Sequence, residues 1–227
     1  MNLYLQAYEL QLKNPFNITH GSRKSQPTLI LTLEKEGIKG YGEAVAVSYY
    51  GLDIASMKAT FEARKAQLEK LPLESPEAYW QLAQPIMEGH PFLHCALDVA
   101  VHDWFAKKAG LPLYQYWGLT PKSLPPTSFT IGMDDIPVMV KKLQEMPWPV
   151  YKIKLGKEND LEVIQALRQY TDATFRVDAN TGWSLDQAFY LIPRLKELGV
   201  DMIEQPMKVS DWEAMKELKA ASPLPLI

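Results

Sequence analysis

Four charged side chains in the second half of the chain have the types and spacing to do chemistry. Lys152 and Lys154 lie two residues apart in "VYKIKLG", residues 150–156, an apolar run flanked by turn residues. Side chains alternate across a strand, so both ammonium groups share one face while Tyr151, Ile153 and Leu155 take the other. A solvated lysine face on a half-exposed sheet is the plain reading of that pattern by itself. Two carboxylates change the balance. In "TFRVDAN", residues 174–180, Phe175, Val177 and Ala179 form an apolar face, and Arg176, Asp178 and Asn180 oppose it. In "VDMIEQP", residues 200–206, Met202 and Glu204 oppose Ile203. Lys154 and Asp178 are 24 residues apart and Asp178 and Glu204 are 26, each about one strand-helix unit. All three therefore fall at the C-terminal ends of neighbouring strands, where parallel α/β folds bind ligands.

Each carboxylate has an ordinary explanation when taken singly. Asp178 suits a helix or turn cap, and Glu204 suits backbone amides or a nearby lysine. Several charges gathered at one mouth are costly unless paired or bound to a metal, so the joint placement points to a site. Hard oxygen donors on separate strands suit magnesium better than zinc. His20, His90, His94 and His102 all precede this region and read as structural, with His20 a possible lid contact.

The elements that position these residues follow two grammars. Residues 3–12, 27–34 ("PTLILTLE") and the piece "GYGEAVAV" read as an antiparallel meander. Helices follow over 54–70 and 76–87, with Pro72 and Pro76 marking the break, and a third runs from near Phe92 to before Gly110. From Thr127 strands and helices alternate strictly, as parallel strands joined by crossover helices do. The strands are "TSFTIG", "VYKIKLG", "TFRVDAN" and "VDMIEQP"; helices fall near 135–146, 159–170, 185–198 and 210–221, and "PLPLI" begins a fifth strand.

Composition excludes several classes. With 47% hydrophobic and 22% charged residues among 227, the chain is globular. A net charge of -3 and the lack of a basic stripe argue against nucleic acid. No segment approaches the length of a membrane span, and the single cysteine, Cys95, fits a reducing compartment. The expectation is a soluble cytoplasmic protein with a small-molecule substrate, no nucleic-acid or membrane partner, and a possible homo-oligomer. Helical periodicity around Cys95 predicts a small core residue.

"YKIKLG", "RVDANTGW" and "IEQP" resemble the Lys-x-Lys, Asp-x-Asn and Glu-Gln-Pro elements of the muconate-lactonising subgroup of the enolase superfamily. "ALDVAVHDWFAKKAGLPLYQYWG" is similar to the helix and "PLY" segment before its barrel, and the meander with "GYGEA" to its capping domain. "NPFNITHGSRKSQPTLILTLE" and "TSFTIG" most resemble the dipeptide epimerases, including the L-Ala-D/L-Glu type. The resemblance implies an α+β capping domain followed by a (β/α)7β TIM-like barrel, of which about the first half is present. The expected divisions are 1–92 for the cap, 93–126 for a helix and connection, and 127–227 for the half-barrel. It also implies magnesium-dependent epimerisation by 1,1-proton transfer through an enolate, as a lysine base with magnesium is an attested arrangement in this superfamily. By the family pattern Lys154 is the base, Lys152 a companion cation for the substrate carboxylate, and Asp178 and Glu204 are metal ligands. The resemblance makes Thr130 a substrate contact, with a satisfied strand threonine the alternative reading; Asn180, outside that pattern, is read as support for the ligands. Arg23, in the Gly-Ser-Arg-Lys loop of the cap, would pair with the substrate's side-chain carboxylate in an acidic-dipeptide epimerase, with a solvated loop arginine the alternative reading. An adjacent ammonium and partial burial are expected to lower the pKa of the lysine base.

The family's third metal carboxylate comes from the fifth strand, its second lysine from the sixth and an aspartate pair from the eighth, and this sequence contains none of them. The 227 residues are therefore expected to be part of a longer protein; alone, they would bind magnesium weakly at best and not epimerise. Within the subgroup a cycloisomerase, an o-succinylbenzoate synthase or an N-acylamino acid racemase would use the same Lys154, Asp178 and Glu204. A non-catalytic remnant of the fold is the alternative from a different class.

Overall fold

Leu29, Leu31 and Leu33 alternate along the second strand and are fully buried, which fixes the inner face of the first sheet. In the computed structural model, residues 1–18 and 21–227 are described, with side chains described for 1–13 and 22–227. Three strands form this sheet in the order β1 (Asn2–Ile18), β2 (Gly21–Lys35) and β3 (Ile38–Val45). β2 and β3 are antiparallel, with Leu31 opposite Gly42 and Leu33 opposite Gly40. Against β3 packs α3 (Pro91–Lys108). A Cβ on Gly42 would lie 1.9 Å from the Ala96 carbonyl oxygen, and one on Gly40 2.0 Å from that of Ala100. The "GYG" spacing thus puts two side-chain-free positions on the face the helix touches.

The chain divides into two units, and the first comprises Met1–Leu12 and Ser25–Ser123. Its core joins Leu3 and the β2 leucines to Phe61 of α1 (Ile54–Leu68), Tyr79 of α2 (Pro76–Ala83), and Leu97 and Trp104 of α3. Asp53 and Ser75 cap α1 and α2 by accepting from Ser56 N and Ala78 N. α2 stops at Ala83, short of the expected Met87; Pro85 follows at once and has no N–H to extend the ladder. Cys95 is exposed, contrary to the core position expected from periodicity. The inward stripe of α3 is taken by Leu93, His94, Ala96, Leu97, Ala100, Val101 and Trp104, which leaves residue 95 on the other side. A short α4 (Leu113–Tyr116), absent from the sequence reading, follows.

The second unit comprises Lys13–Lys24 and Leu124–Ile227. Strands β4 (Phe129–Ile131), β5 (Val150–Lys154), β6 (Thr174–Asp178) and β7 (Val200–Glu204) alternate with α5 (Ile136–Glu145), α6 (Asp160–Arg168), α7 (Leu185–Glu197) and α8 (Trp212–Ala221). The sheet is parallel in sequential order, β4-β5-β6-β7, as half of a TIM-like barrel requires. Ile131, Tyr151, Ile153, Phe175, Val177 and Ile203 form its outward face and pack against Leu143, Ile164, Leu167, Leu191 and Leu218 of the helices. Ser184 and Gln187 close a capping box at the start of α7. Ile203 bridges Leu226 in parallel, so residues 225–227 add to the sheet beside β7, as read from "PLPLI". Among the described residues no helix is long and apolar enough to cross a membrane.

Candidate active site

Parallel register places Lys154, Asp178 and Glu204 abreast at the ends of β5, β6 and β7. Thr130, Lys152, Arg176 and Met202 form the preceding layer. Lys154 Nζ donates to Asp178 Oδ2 at 2.6 Å. Lys152 Nζ lies 3.0 Å from Asp178 Oδ2 and 2.6 Å from Glu204 Oε2, so one ammonium joins both carboxylates. Asp178 is only 1% exposed and Lys154 8%, whereas Lys152 and Glu204 are partly open. The two lysines of the opening motif thus share a face because a buried carboxylate from the next strand needs them there.

Asn180 sits just beyond β6, where its N–H donates to Asp178 Oδ1 at 2.9 Å. Its support for Asp178 runs through the main chain, because φ of +46° turns the backbone out of the strand alternation. Thr181 and Gln205 also have positive φ, +64° and +45°, an uncommon conformation for residues other than glycine, and Thr181 N donates to Gln205 O at 2.8 Å.

The electrostatics follow from this pairing. Burial pushes the Lys152 ammonium toward neutrality, but hydrogen bonds to Glu204 and Asp178 outweigh it and raise its pKa above the ordinary lysine value. Lys152 is therefore held as a cation. Burial pushes the Asp178 carboxyl up, and hydrogen bonds from Lys154 and Lys152 more than reverse this, leaving it below the usual aspartate range.

Asp178 and Glu204 supply hard oxygens and already share one cationic group, which is the donor chemistry a magnesium ion requires. Among the described residues no group of three or more His, Cys, Asp or Glu side chains gathers as a metal cluster, so this segment offers two carboxylates to an ion. A cavity of about 820 Å³ opens beside Lys154, lined also by Ser22, Met133, Asp134, Lys157 and Asp160. Thr130 is half-buried and pairs in register with Lys152. Arg23 is exposed in β2, next to Ser22, and belongs to the barrel unit rather than to a loop of the cap. Strands β1 and β2 run past the limits read from the sequence, and residues 13–24 group with the second unit. His20 lies outside the described residues. His90, His94 and His102 belong to the first unit.

Sequence reasoning missed Asp160 and Trp183. Asp160 is 1% exposed and accepts from Gly156 N, Lys157 N and Trp183 Nε1 at 2.8, 2.9 and 2.6 Å. Trp183 was in view as the last letter of "RVDANTGW", but spacing alone does not show an indole reaching a carboxylate 23 residues earlier.

Residues 1–118 match the model of the mandelate racemase / muconate lactonizing enzyme N-terminal domain, and residues 138–227 match the enolase C-terminal domain-like model. The chain belongs to the mandelate racemase/muconate lactonizing enzyme family. Within that family it is similar to an L-Ala-D/L-amino acid epimerase of Flavobacterium johnsoniae, 42% identical over 227 residues, covering all of this chain and 68% of the relative. An L-Ala-D/L-Glu epimerase of Bacteroides thetaiotaomicron is 36% identical over 233 residues, covering all of this chain and 60% of the relative. Among solved structures, a dipeptide epimerase of Enterococcus faecalis V583 complexed with Mg and L-Leu-L-Tyr superimposes with a TM-score of 0.90 at 28% identity, over 99% of this chain and 66% of that one. The chain thus spans about 60 to 68% of the length of these family members. The superfamily resemblance seen in the motifs holds, as does the cap-plus-partial-barrel fold.

Proposed function

We propose that these residues belong to a magnesium-dependent dipeptide epimerase that inverts the carbon beside a substrate carboxylate by 1,1-proton transfer. The observation that carries this reading is the convergence of Lys154, Asp178 and Glu204 from three successive strands, with Lys152 bridging the carboxylates. The names of the relatives support the substrate class, an L-Ala dipeptide. Because the chain spans part of their length, the activity is proposed for a polypeptide of their length carrying this segment.

Magnesium, when bound by Asp178 and Glu204, supplies positive charge against the substrate carboxylate as the adjacent carbon becomes electron-rich. Lys154 accepts the proton from that carbon at Nζ, its hydrogen bond to Asp178 fixing where the amine stands, and inversion is completed when a second acid group of the longer polypeptide returns a proton to the opposite face. Lys152, held as a cation, pairs with the substrate carboxylate and with the charge that develops on it. Thr130, beside Lys152 in the register, hydrogen-bonds the same carboxylate. Asn180 steadies Asp178 through its N–H. Arg23 meets an acidic side chain on the substrate's second residue. The single cysteine supports a reducing, cytoplasmic setting.

Loss of the α-proton signal in deuterium oxide, followed by proton NMR with magnesium, tests the proposal on the full-length protein. L-Ala-L-Glu is expected to exchange and invert, N-succinyl amino acids to remain unchanged, and Lys154→Ala to abolish exchange. Exchange of the succinyl compounds but not of the dipeptide would refute the substrate assignment. Exchange undiminished in Lys154→Ala would refute the mechanism.

A further inference from the structure

Asp160 is a buried carboxylate for which the proposed reaction has no use. It begins α6 and accepts the Gly156 and Lys157 amides of its own loop, as an acid in a first helical turn commonly does. Its third donor comes from elsewhere: the indole of Trp183, 4% exposed, reaches in from the loop after β6. The main-chain N–H of Trp183 donates in turn to Pro206 O at 3.0 Å, in the loop after β7. One residue therefore ties the loops that follow all three site-bearing strands.

The loops also touch backbone to backbone. A Cβ on Gly182 would stand 2.7 Å from Gly156 Cα, and Gly156 has φ of +118°, a conformation open to glycine. Leu155 N donates to Asp178 O at 2.9 Å and Ala179 N to Glu204 O at 3.0 Å, so the strand ends are bonded next to the three charged side chains. Gly156 lies two residues from Lys154, and Trp183 five from Asp178.

We propose that Asp160 and Trp183 form a latch that holds the ends of β5, β6 and β7 in mutual register, and are positioning residues for Lys154, Asp178 and Glu204. The inference rests on reading those three groups as a magnesium and proton-transfer site. A buried, charge-assisted hydrogen bond suits this task because either partner left alone is costly, so the latch has one closed arrangement. Displacement of a reacting group by about 1 Å can cost about a hundredfold in rate, so a tie at the loop bases bears directly on the chemistry.

Two near-isosteric variants of the full-length protein test the latch: Trp183→Phe removes the N–H and keeps a ring, and Asp160→Asn removes the charge and keeps the shape. Amide hydrogen exchange by NMR is read at Leu155 and Ala179 against Ile153 and Val177 in the strand interiors, and magnesium affinity by calorimetry. Both variants are expected to speed exchange at Leu155 and Ala179 about tenfold with the interior amides unchanged. Each should also weaken magnesium binding about tenfold or more, as loss of supporting hydrogen bonds around metal ligands does. The double variant should do little more than either single one, because the two residues act as a unit. Site amides that exchange as in the parent, or interior amides that accelerate equally, would overturn the latch. So would loosened amides with unchanged magnesium affinity, or failure of both variants to fold. A parent that binds no magnesium, with the site amides still selectively loosened in the variants, would uphold the latch and refute the metal-site reading.

Discussion

A carboxylate with 1% exposure and two ammonium partners is the most constrained residue of the site. Removing Asp178 takes a buried carboxylate from both Lys152 and Lys154, whereas removing Glu204 leaves Lys152 paired with Asp178 and partly open to water. Asp178→Ala should therefore destabilise the protein by about 3–5 kcal/mol. Glu204→Ala should cost only about 1 kcal/mol. Urea unfolding of the two variants checks the order. His94 gives a second prediction at this scale. It is buried against Trp80 with ring centroids 3.6 Å apart and planes 8° from parallel, and burial lowers its pKa, opposed by the Trp80 backbone and Asp98. The folded state thus favours neutral imidazole, while the unfolded chain takes up a proton near pH 6.5, about the ordinary histidine value. Its stabilising contribution is complete above that pH and is lost as pH falls through the folded-state value. Thermal unfolding at pH 7.5 and pH 5.5, both set as round values (about one unit either side of the ordinary pKa), should show a smaller acid-induced drop for His94→Phe than for the parent.

At the scale of elements, close approach and capping decide more than propensity. α3 lies so near β3 that the Ala96 carbonyl occupies the space of a Gly42 side chain. Gly42→Ala must push helix from sheet and should cost about 1–3 kcal/mol or more, read as a lowered unfolding temperature. The residues of "GYGEA" are thus matched to the helix that packs on them. Ser184 works locally: its hydroxyl accepts from Gln187 N at 3.2 Å while the Gln187 side chain accepts from Ser184 N at 2.8 Å. Ser184→Ala should cost about 1 kcal/mol.

Among the described residues there are two apolar cores, one built on Leu29, Leu31, Leu33 and Trp104 and the other on Ile153, Val177, Ile203 and their helices. Gly42 and Ser184 serve different cores and share no partner, so the double variant should lose the sum of the single losses to within about 0.5 kcal/mol in equilibrium unfolding. A large departure would show that the cores do not respond independently.

Much of this was legible in the residues. Alternation in "VYKIKLG" and "TFRVDAN" reflects a sheet with helices on one side, and a repeat of about 25 residues reflects strands joined by helices. Both are one-dimensional records of local geometry, so strand order, parallel register and the meeting of Lys154, Asp178 and Glu204 could be inferred without coordinates. Cys95 went astray because helical periodicity marks a stripe but not its width, and the neighbours that fill the cap core are distant in sequence. The raised pKa of Lys152 is also a product of the fold, because carboxylates from two further strands stand beside it. Asp160 and Trp183, and the transfer of residues 13–24 to the barrel unit, were likewise decided only in three dimensions. Periodicity and spacing determine which side chains share a face and a layer, because backbone geometry is local; hydrogen-bond partners, burial and charge balance depend on what other segments bring to the same place, and only the tertiary structure settles those.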